Sequence, residues 1–403
     1  MKTIIDPVFG FIRIPRGLLL DIVSHPAMFR LSRIRQLGGA SVVFPGAQHT
    51  RFQHSIGAFH LMSMAIRSLQ MKGNFIFDSE AEAVQAAILM HDIGHGPFSH
   101  VLEHTLISGV DHEEISLMIM EKMNEDLRGQ LTLAIKIFKD EYPKHFLHQL
   151  ISSQLDMDRL DYLRRDSFFT GVTEANIGSS RIISMLDVVD DRLVVEKKGI
   201  YSIENYLVNR RLMYWQVYLH KTGVSSEHIL INALKRAKHL AYQGKELFCS
   251  PALRFFLYQD IDRDRFINDP ECLSNYLTLD DNDIMCALKV WCGSDDKILS
   301  LLSNDFINRK LFKVEVCDEV VPESFIYDKI QELMERYEVT EDEAREYLTC
   351  LLEVGKDMYN LHDDKIEILL ADGTTRDVSE VSDMLNLPMM AKKVRKQYFC
   401  YQR

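Results

Sequence analysis

Two histidines and two aspartates could form a metal shell, although they are spread over about a hundred positions. His54 lies near the start of a predicted helix, and the pair His91-Asp92 ends an apolar run. Asp158 lies among other charged residues. Imidazole nitrogens and carboxylate oxygens together suit a divalent first-row metal, which lowers the pKa of bound water and neutralises charge on a phosphate. Each residue alone is more commonly an ordinary core or surface residue, so the prediction depends on their convergence.

The run from His91 to His100 strengthens the metal interpretation. The two ligand-type residues are followed by Ile-Gly-His-Gly-Pro-Phe-Ser-His, so a tight turn returns further imidazoles to the same place. Gly94 and Gly96 permit backbone paths that residues with a Cβ resist. Eight of the 15 histidines lie between His49 and His112. Histidine is the usual metal ligand and acid–base group near neutral pH, so this crowding indicates a chemical site.

The elements that must position these residues are mainly helical. Thr50 is followed three residues later by Gln53, and Asp111 by Glu114, which is the spacing of a capping box at a helix start. The first 15 residues predict a short β-ribbon, and the apolar pattern is mostly helical over residues 18–243.

The carboxyl-terminal part of the chain has a mixed pattern. Strands are predicted at 311–316, 366–370 and 397–401, helices at 326–337 and 341–352, and an earlier hairpin at 192–203 with its turn at 197–199. We therefore predict a mainly α protein, with a helical catalytic body at 1–304 that includes short β-ribbons and a smaller α+β lobe at 305–403.

Composition restricts the class of protein further. The 403 residues carry a net charge of −12, which disfavours electrostatic attraction to nucleic acid or anionic lipid. No apolar run approaches the roughly 20 residues that span a bilayer. Seven cysteines without C-x-x-C spacing argue against a disulfide framework and a zinc–thiolate site. We expect a cytoplasmic protein with reduced thiols, without membrane or nucleic-acid partners.

Three collinear motifs carry a resemblance to a known family. The run from His91 to His100, with Thr50–Ser55 before it and Leu155–Tyr162 after it, resembles the HD-domain phosphohydrolases. Within that superfamily the chain is similar to the deoxynucleoside triphosphate triphosphohydrolases, which include dGTPase-like proteins. The similarity extends through Arg30–Gly57 and a stripe at 210–221, and covers about three quarters of the chain. The resemblance implies an HD-domain helical body.

The resemblance also implies roles for particular residues. The ligands of a catalytic divalent metal (Mn, Fe, Zn, Ni or Mg) would be His54, His91, Asp92 and Asp158. The residues around the reacting phosphate would be His95, His100 and His112, with Glu103 orienting an imidazole. The substrate-binding residues would be Gln36, Leu37, Arg51, Arg159, Tyr162, Asp166, Arg210, Tyr218 and Lys221.

These substrate contacts divide by the part of the nucleotide that they reach. The family implies that basic residues hold the phosphates, namely Arg51, Arg159, Arg210 and Lys221. Gln36 and Asp166 would contact the sugar 3′-hydroxyl, Tyr162 would pack on C2′ and exclude ribose, and Tyr218 would lie near the sugar or base.

The family's reaction is attack of water on the α-phosphorus, which yields a deoxynucleoside and inorganic triphosphate. Its members imply a homodimer or homotetramer with a deoxynucleoside triphosphate (dNTP) as substrate. Two alternatives stay open. The same metal site would serve an HD-type phosphodiesterase or nucleotide phosphatase, and a protein that binds nucleotide without turnover would be a regulator of another class.

Overall fold

A computed structural model describes residues 1–99, 101, 105–356, 365–383 and 394–403. Its helices are α1 (Leu18–Ser24), α2 (Pro26–Arg30), α3 (Arg51–Met71), α4 (Asp78–Met90), α5 (His112–Asp126), α6 (Thr132–Phe138), α7 (His145–Gln149), α8 (Met157–Thr170), α9 (Ser179–Met185), α10 (Ile200–Met213), α11 (Lys221–Tyr242), α12 (Pro251–Leu257), α13 (Arg263–Asn268), α14 (Pro270–Tyr276), α15 (Asp281–Trp291), α16 (Lys297–Ile307), α17 (Glu323–Tyr337), α18 (Glu341–Glu343) and α19 (Val378–Val381). Its strands are β1 (Lys2–Asp6), β2 (Gly10–Ile14), β3 (Leu186–Val189), β4 (Arg192–Glu196), β5 (Lys313–Cys317), β6 (Thr349–Lys356), β7 (Glu367–Leu369), β8 (Thr375–Asp377) and β9 (Val394–Tyr401). Within these described ranges, every helix is too short or too polar to cross a membrane.

The amino-terminal ribbon and the two helix caps are confirmed. β1 and β2 pair antiparallel, with Asp6 opposite Gly10. The Thr50 hydroxyl accepts from the Gln53 amide at 3.4 Å, and the Gln53 side chain accepts from the Thr50 amide at 2.8 Å. Asp111 accepts from the amide three residues later and starts α5. These caps fix where the helices that carry His54 and His112 begin.

The mainly α fold is confirmed, and α3 lies at its centre. Its apolar stripe, which includes Ile56, Phe59 and Leu69, is buried, and the helix packs against α4 and α8. Removing this stripe from water stabilises the arrangement. As a result, the start of α3, the end of α4 and the start of α8 meet at one place.

The hairpin predicted at 192–203 is wrong in its position along the chain. The hairpin is formed by β3 and β4, and Asp190 and Asp191 make its turn at φ values of 49° and 60°. Aspartate tolerates this left-handed conformation, which a two-residue hairpin turn requires. Residues 197–199 instead form a short helical turn that leads into α10. A Cβ at Gly199 would lie 2.9 Å from Met185, so this glycine serves close packing.

The carboxyl-terminal strands are confirmed, whereas the helix predicted at 341–352 ends early. Helical structure stops at Leu348, and β6 pairs with β9 from Thr349 onward. β9 also pairs with β5, so it is the central strand of that sheet. In the other sheet β7 pairs in parallel with β4, which precedes residue 305, and antiparallel with β8. The domain division at about 305 stays a prediction.

Candidate metal centre and adjoining pocket

Three helix ends bring the predicted metal ligands together. His54 lies in the first turn of α3, and Asp158 in the first turn of α8, where Asp156 caps the helix by accepting from a backbone amide. His91 follows the last residue of α4, and Asp92 comes next. A short segment of each element therefore faces the same point.

Three potential ligand atoms, one each from His54, His91 and Asp158, lie within 4.8 Å of one another. His54 Nε2 is 3.0 Å from Asp158 Oδ1 and 3.2 Å from His91 Nε2, and the latter nitrogen is 3.3 Å from the same oxygen. The Asp92 carboxylate approaches the two Nε2 atoms at 3.7 and 3.6 Å. Two imidazoles with two carboxylates form a donor set that fits a divalent transition metal.

Both imidazoles are held so that Nε2 faces the cluster. His54 Nδ1 lies 2.7 Å from Asp161 Oδ2, and His91 Nδ1 lies 2.7 Å from the carbonyl oxygen of Ile88. An oxygen acceptor at Nδ1 keeps the proton on that nitrogen and leaves Nε2 as the lone-pair donor. This is the arrangement that a metal-binding histidine needs.

The charges of the cluster favour a bound cation. Burial opposes the charged form of His54, but Asp158 and Asp161 raise the pKa of its imidazole to about 10. Burial also opposes the charged form of Asp92, yet the neighbouring His95, His91 and Arg51 hold the pKa of its carboxyl well below the usual value. A group of carboxylates that strongly attracts protons onto nearby imidazoles attracts a metal ion in the same way.

The turn after Asp92 is pinned by buried contacts. A Cβ on Gly94 would lie 2.1 Å from the carbonyl oxygen of His112, so glycine allows α5 to approach. Arg30 is fully buried and donates to the carbonyl oxygens of Ile93 at 3.3 Å and His95 at 3.0 Å. The glycine-rich turn after Asp92 is therefore closely packed, and Arg30 at the end of α2 fixes its shape.

Two of the predicted catalytic imidazoles meet beside the metal cluster. The rings of His95 and His112 lie 4.0 Å apart, and His95 Nδ1 is 3.4 Å from Asp92 Oδ1. His95 is buried, whereas His112 is partly exposed at the start of α5. His100 and Glu103, the other predicted catalytic residues, lie outside the described residues.

A cavity of about 370 Å³ adjoins the cluster and contains most of the predicted substrate contacts. Its lining includes Gln36, Leu37, Arg51, Tyr162, Asp166 and Tyr218. The Tyr162 and Tyr218 rings lie 6.1 Å apart, edge to face. Aromatic faces with a few polar groups form a surface suited to a small organic ligand.

Asp166 is the buried polar centre of this pocket. Its Oδ1 lies 2.7 Å from His49 Nε2, and its Oδ2 accepts from the Tyr218 hydroxyl at 2.7 Å. The His49 ring stacks on Phe169 with centroids 4.5 Å apart. Nearby, Gln36 Oε1 is buried and has no hydrogen-bond partner among the described residues.

The four predicted phosphate-binding cations lie in different environments. Arg51 donates to Asp92 Oδ2 at 2.6 Å and to the Ser99 hydroxyl at 2.7 Å. Arg159 turns toward the start of its own helix and donates to the Ser153 carbonyl oxygen at 2.5 Å. Lys221 is exposed at the first position of α11, and the structure does not bring it into the cavity.

Arg210 has the less complete pairing of the two buried cations among these four, since two of its donor atoms lack partners among the described residues, against Nε alone in Arg51. It is 7% exposed, and its Nε and Nη1 atoms have no hydrogen-bond partner in the part of the chain that the structure describes. Its guanidinium carbon lies 6.0 Å from the ring centre of Tyr214, which lines the cavity. An unpaired buried cation is unfavourable, so the geometry suits an anionic ligand.

Sequence reasoning missed His49, Asp161 and Arg165 as site residues. All three are buried with paired side chains. Each aspartate–histidine contact joins residues more than one hundred positions apart, so no local spacing reveals it. The one available signal was the helical step of three from Asp158 to Asp161, which places both on related faces of α8.

Two family models match the chain: the HD domain over residues 51–166 and the HD associated region over 177–247. A crystal structure of a phosphohydrolase from Bacteroides thetaiotaomicron is 64% identical and superposes with a TM-score of 0.97, covering 100% of both chains. The uncharacterised protein YwfO of Bacillus subtilis is 34% identical over 77% of this chain and 71% of its own length. The deoxynucleoside triphosphate triphosphohydrolase SAMHD1 of Homo sapiens is 30% identical over 59% of this chain and 45% of its own length.

Proposed function

The chain belongs to the HD-domain phosphohydrolase superfamily, and we propose that it hydrolyses deoxynucleoside triphosphates to deoxynucleoside and inorganic triphosphate. The His54–His91–Asp158 cluster, with Asp92 beside it, would hold the divalent metal. Such an ion supplies positive charge at a phosphate and makes nearby water more acidic. We further expect self-association, which light scattering of the purified protein would test.

The buried cation Arg210 is the observation that carries the substrate class. A phosphate at the metal cluster leaves Arg210 Nε and Nη1 unpaired, whereas a polyphosphate has further anionic oxygens to accept from them. The guanidinium fork suits phosphate oxygens and binds them strongly when water is excluded. A polyphosphate therefore accounts for this buried charge better than a phosphomonoester or diester does.

The pocket beside the cluster supports a nucleoside as the other part of the substrate. Tyr162 and Tyr218 offer aromatic surface, while Asp166 and Gln36 offer oxygen acceptors for a sugar hydroxyl. Each carboxylate oxygen has two lone pairs, so Asp166 keeps acceptor capacity besides its bonds to His49 and Tyr218. Tyr162 also lies against His54, with ring centroids 6.4 Å apart, and would bring the sugar close to the reacting phosphate.

In this reaction the chain positions the reacting groups and moves a proton. Arg51 lies at the junction of cluster and pocket, where its cation would orient the α-phosphate. When water attacks the α-phosphorus, the bond to the 5′-oxygen breaks and that oxygen needs a proton. The neighbouring imidazoles of His95 and His112 are the described candidates for this general acid.

The test separates the possible bonds by their products. Purified protein is incubated with each dNTP and each ribonucleoside triphosphate, with Mn²⁺ or Mg²⁺, in water enriched in ¹⁸O. We expect deoxynucleoside without label and triphosphate carrying one ¹⁸O atom. Asp92→Asn, which keeps the size of the side chain but weakens the donor set, serves as the matched inactive control.

Other products would contradict the proposal in distinguishable ways. Release of pyrophosphate would mean cleavage of the α–β phosphoanhydride bond, and release of inorganic phosphate would mean cleavage of the β–γ phosphoanhydride bond. Either product would indicate a different HD phosphohydrolase. Turnover of a phosphodiester but of no dNTP would mean a phosphodiesterase. Saturable dNTP binding without products, in protein shown to contain metal, would mean a nucleotide-binding regulator.

A further inference from the structure

We propose that Asp161, Arg165 and Asp6 form a buried chain of ion pairs that positions the metal-binding His54, so that the β1–β2 ribbon is part of the metal site's support. The inference concerns metal binding by the proposed site and does not depend on which phosphoester is cleaved. The three are positioning residues, since none of them faces the metal directly.

The first link joins His54 to Asp161. Both side chains are fully buried, and His54 Nδ1 lies 2.7 Å from Asp161 Oδ2. This carboxylate holds the proton of the imidazole on Nδ1 and orients the ring, so that Nε2 keeps its lone pair toward Asp158 and His91. A carboxylate behind a metal-binding histidine raises the ligand's basicity and its affinity for the ion.

The second link fixes the carboxylate itself. Arg165, also fully buried, donates from Nε to Asp161 Oδ2 at 2.9 Å and from Nη2 to Asp161 Oδ1 at 3.0 Å. Two parallel bonds from a planar fork leave the carboxylate little freedom to rotate. Gly57 leaves the space that this pair occupies. A Cβ at this position would lie 2.0 Å from the Asp161 carboxylate and 2.1 Å from Arg165 Nη2.

The third link reaches the amino-terminal ribbon. Arg165 Nη1 donates to Asp6 Oδ2 at 2.7 Å, and Asp6 is 4% exposed. The other oxygen, Asp6 Oδ1, accepts from the amides of Val8 and Phe9, both at 2.9 Å. The turn between β1 and β2 therefore holds Asp6, which in turn binds Arg165 through the guanidinium nitrogen that Asp161 does not contact.

The two oxygens of Asp6 have different partners, which allows a test with a side chain of the same shape. In Asp6→Asn the remaining oxygen can still accept from Val8 and Phe9, while the new amide group cannot accept from Arg165. The ribbon turn is retained and the last ion pair is lost. Asp161→Asn is the second variant, and it disturbs the link next to His54.

A half-buried aspartate elsewhere in the chain supplies the matched control. Asp296 caps α16 through Oδ1, which accepts from the Leu299 amide at 2.8 Å, and it pairs with Arg236 at 2.7 Å. Asp296→Asn thus removes the same charge from a similar cap and ion pair far along the chain from the metal ligands. It should lower the melting temperature without altering metal binding.

The measurement is the Kd of Mn²⁺ for metal-free full-length protein, by calorimetry at fixed pH, together with the electron paramagnetic resonance spectrum of bound Mn²⁺. We expect Asp161→Asn to weaken binding by about 10-fold or more and Asp6→Asn by about 3- to 10-fold, as for residues behind metal ligands. The spectrum should broaden in both, and Asp296→Asn should match wild type.

Unchanged Mn²⁺ affinity in Asp6→Asn would overturn the proposal, because a purely structural network predicts a lower melting temperature alone. If Asp6→Asn does not fold, an unchanged Kd in Asp161→Asn decides against it equally. Wild-type protein that binds Mn²⁺ but hydrolyses no dNTP would defeat the proposed substrate and leave this inference standing. Wild-type protein that binds no Mn²⁺ would defeat both.

Discussion

The metal cluster and the neighbouring cavity differ in how their polar groups are satisfied. At the cluster, the outward nitrogens of His54 and His91 are both bonded, and Asp161 is held by Arg165. Near the cavity, two donor atoms of Arg210 have no partner among the described residues. The acceptor atom Gln36 Oε1 also has none. The histidines of the metal end are therefore held in place by the protein alone, whereas at the other end the proposed substrate would supply the missing partners. Substitutions at the two ends should therefore have different kinds of effect.

The largest effect should come from breaking the metal end. His91→Ala removes a ligand from the cluster, and we expect the folded variant to lose bound metal and about three orders of magnitude in rate, because an ion is worth several kcal/mol at the transition state. Metal content by mass spectrometry and dNTP turnover are the measurements. A wild-type rate in the metal-depleted variant would show that the cluster is not catalytic.

Arg210→Met should separate binding from stability. We expect the Kd for a dNTP to rise about 10- to 100-fold, since a hydrogen bond to a charged group is worth about 1.5–3 kcal/mol. The free energy of unfolding without ligand should rise by about 1 kcal/mol, because an unpaired buried charge is replaced by an apolar side chain. Calorimetric titration and thermal unfolding measure the two quantities. Lower stability with unchanged Kd would mean that Arg210 is a structural residue.

Gly57→Ala tests the close packing behind the metal end. The added methyl group overlaps the Asp161–Arg165 pair, so we expect a loss of about 1–3 kcal/mol in stability together with weaker Mn²⁺ binding. Gly223→Ala is the control for stability, since a Cβ there meets nothing within 4 Å. Equal melting temperatures for the two variants would argue against the tight contact.

Tyr162→Ala should produce the smallest effect and change selectivity. If its ring packs on C2′ of the sugar, removing it should raise turnover of a ribonucleoside triphosphate relative to the matching dNTP by about 10-fold, the value of one modest packing contact. Tyr201→Ala, at an exposed tyrosine, is the control. If the ratio of ribonucleoside triphosphate turnover to dNTP turnover is the same in both variants, Tyr162 does not determine the selectivity of the site.

The sequence predicted the parts of the site that local patterns encode. Ligand-type residues at helix ends, the capping box at Thr50, the N-cap at Asp111 and the glycine-rich turn after His91 are all visible as short spacings. The convergence of His54, His91 and Asp158 in the structure agrees with that reading. The individual catalytic and substrate roles stay predictions.

The remaining features depend on contacts that spacing does not encode. Asp6 and Arg165 are 159 positions apart, and only the packed fold shows that they form an ion pair. Arg159 was expected to reach phosphate, yet its side chain bonds to Asp156 at 3.0 Å, an alternative that its helix cap provides locally. The first four residues of β6 were predicted as helix because their cross-strand partners in β9 lie more than forty residues away.

The parallel pairing of β4 with β7 has a practical consequence for dissecting the molecule. A fragment that stops near residue 304 would retain β4 but lose the strand that occupies one of its edges. Its bare amide and carbonyl groups would then be available to other chains, which is a known route to aggregation. Insolubility of such a fragment would therefore report a missing strand rather than an intrinsically unstable helical body.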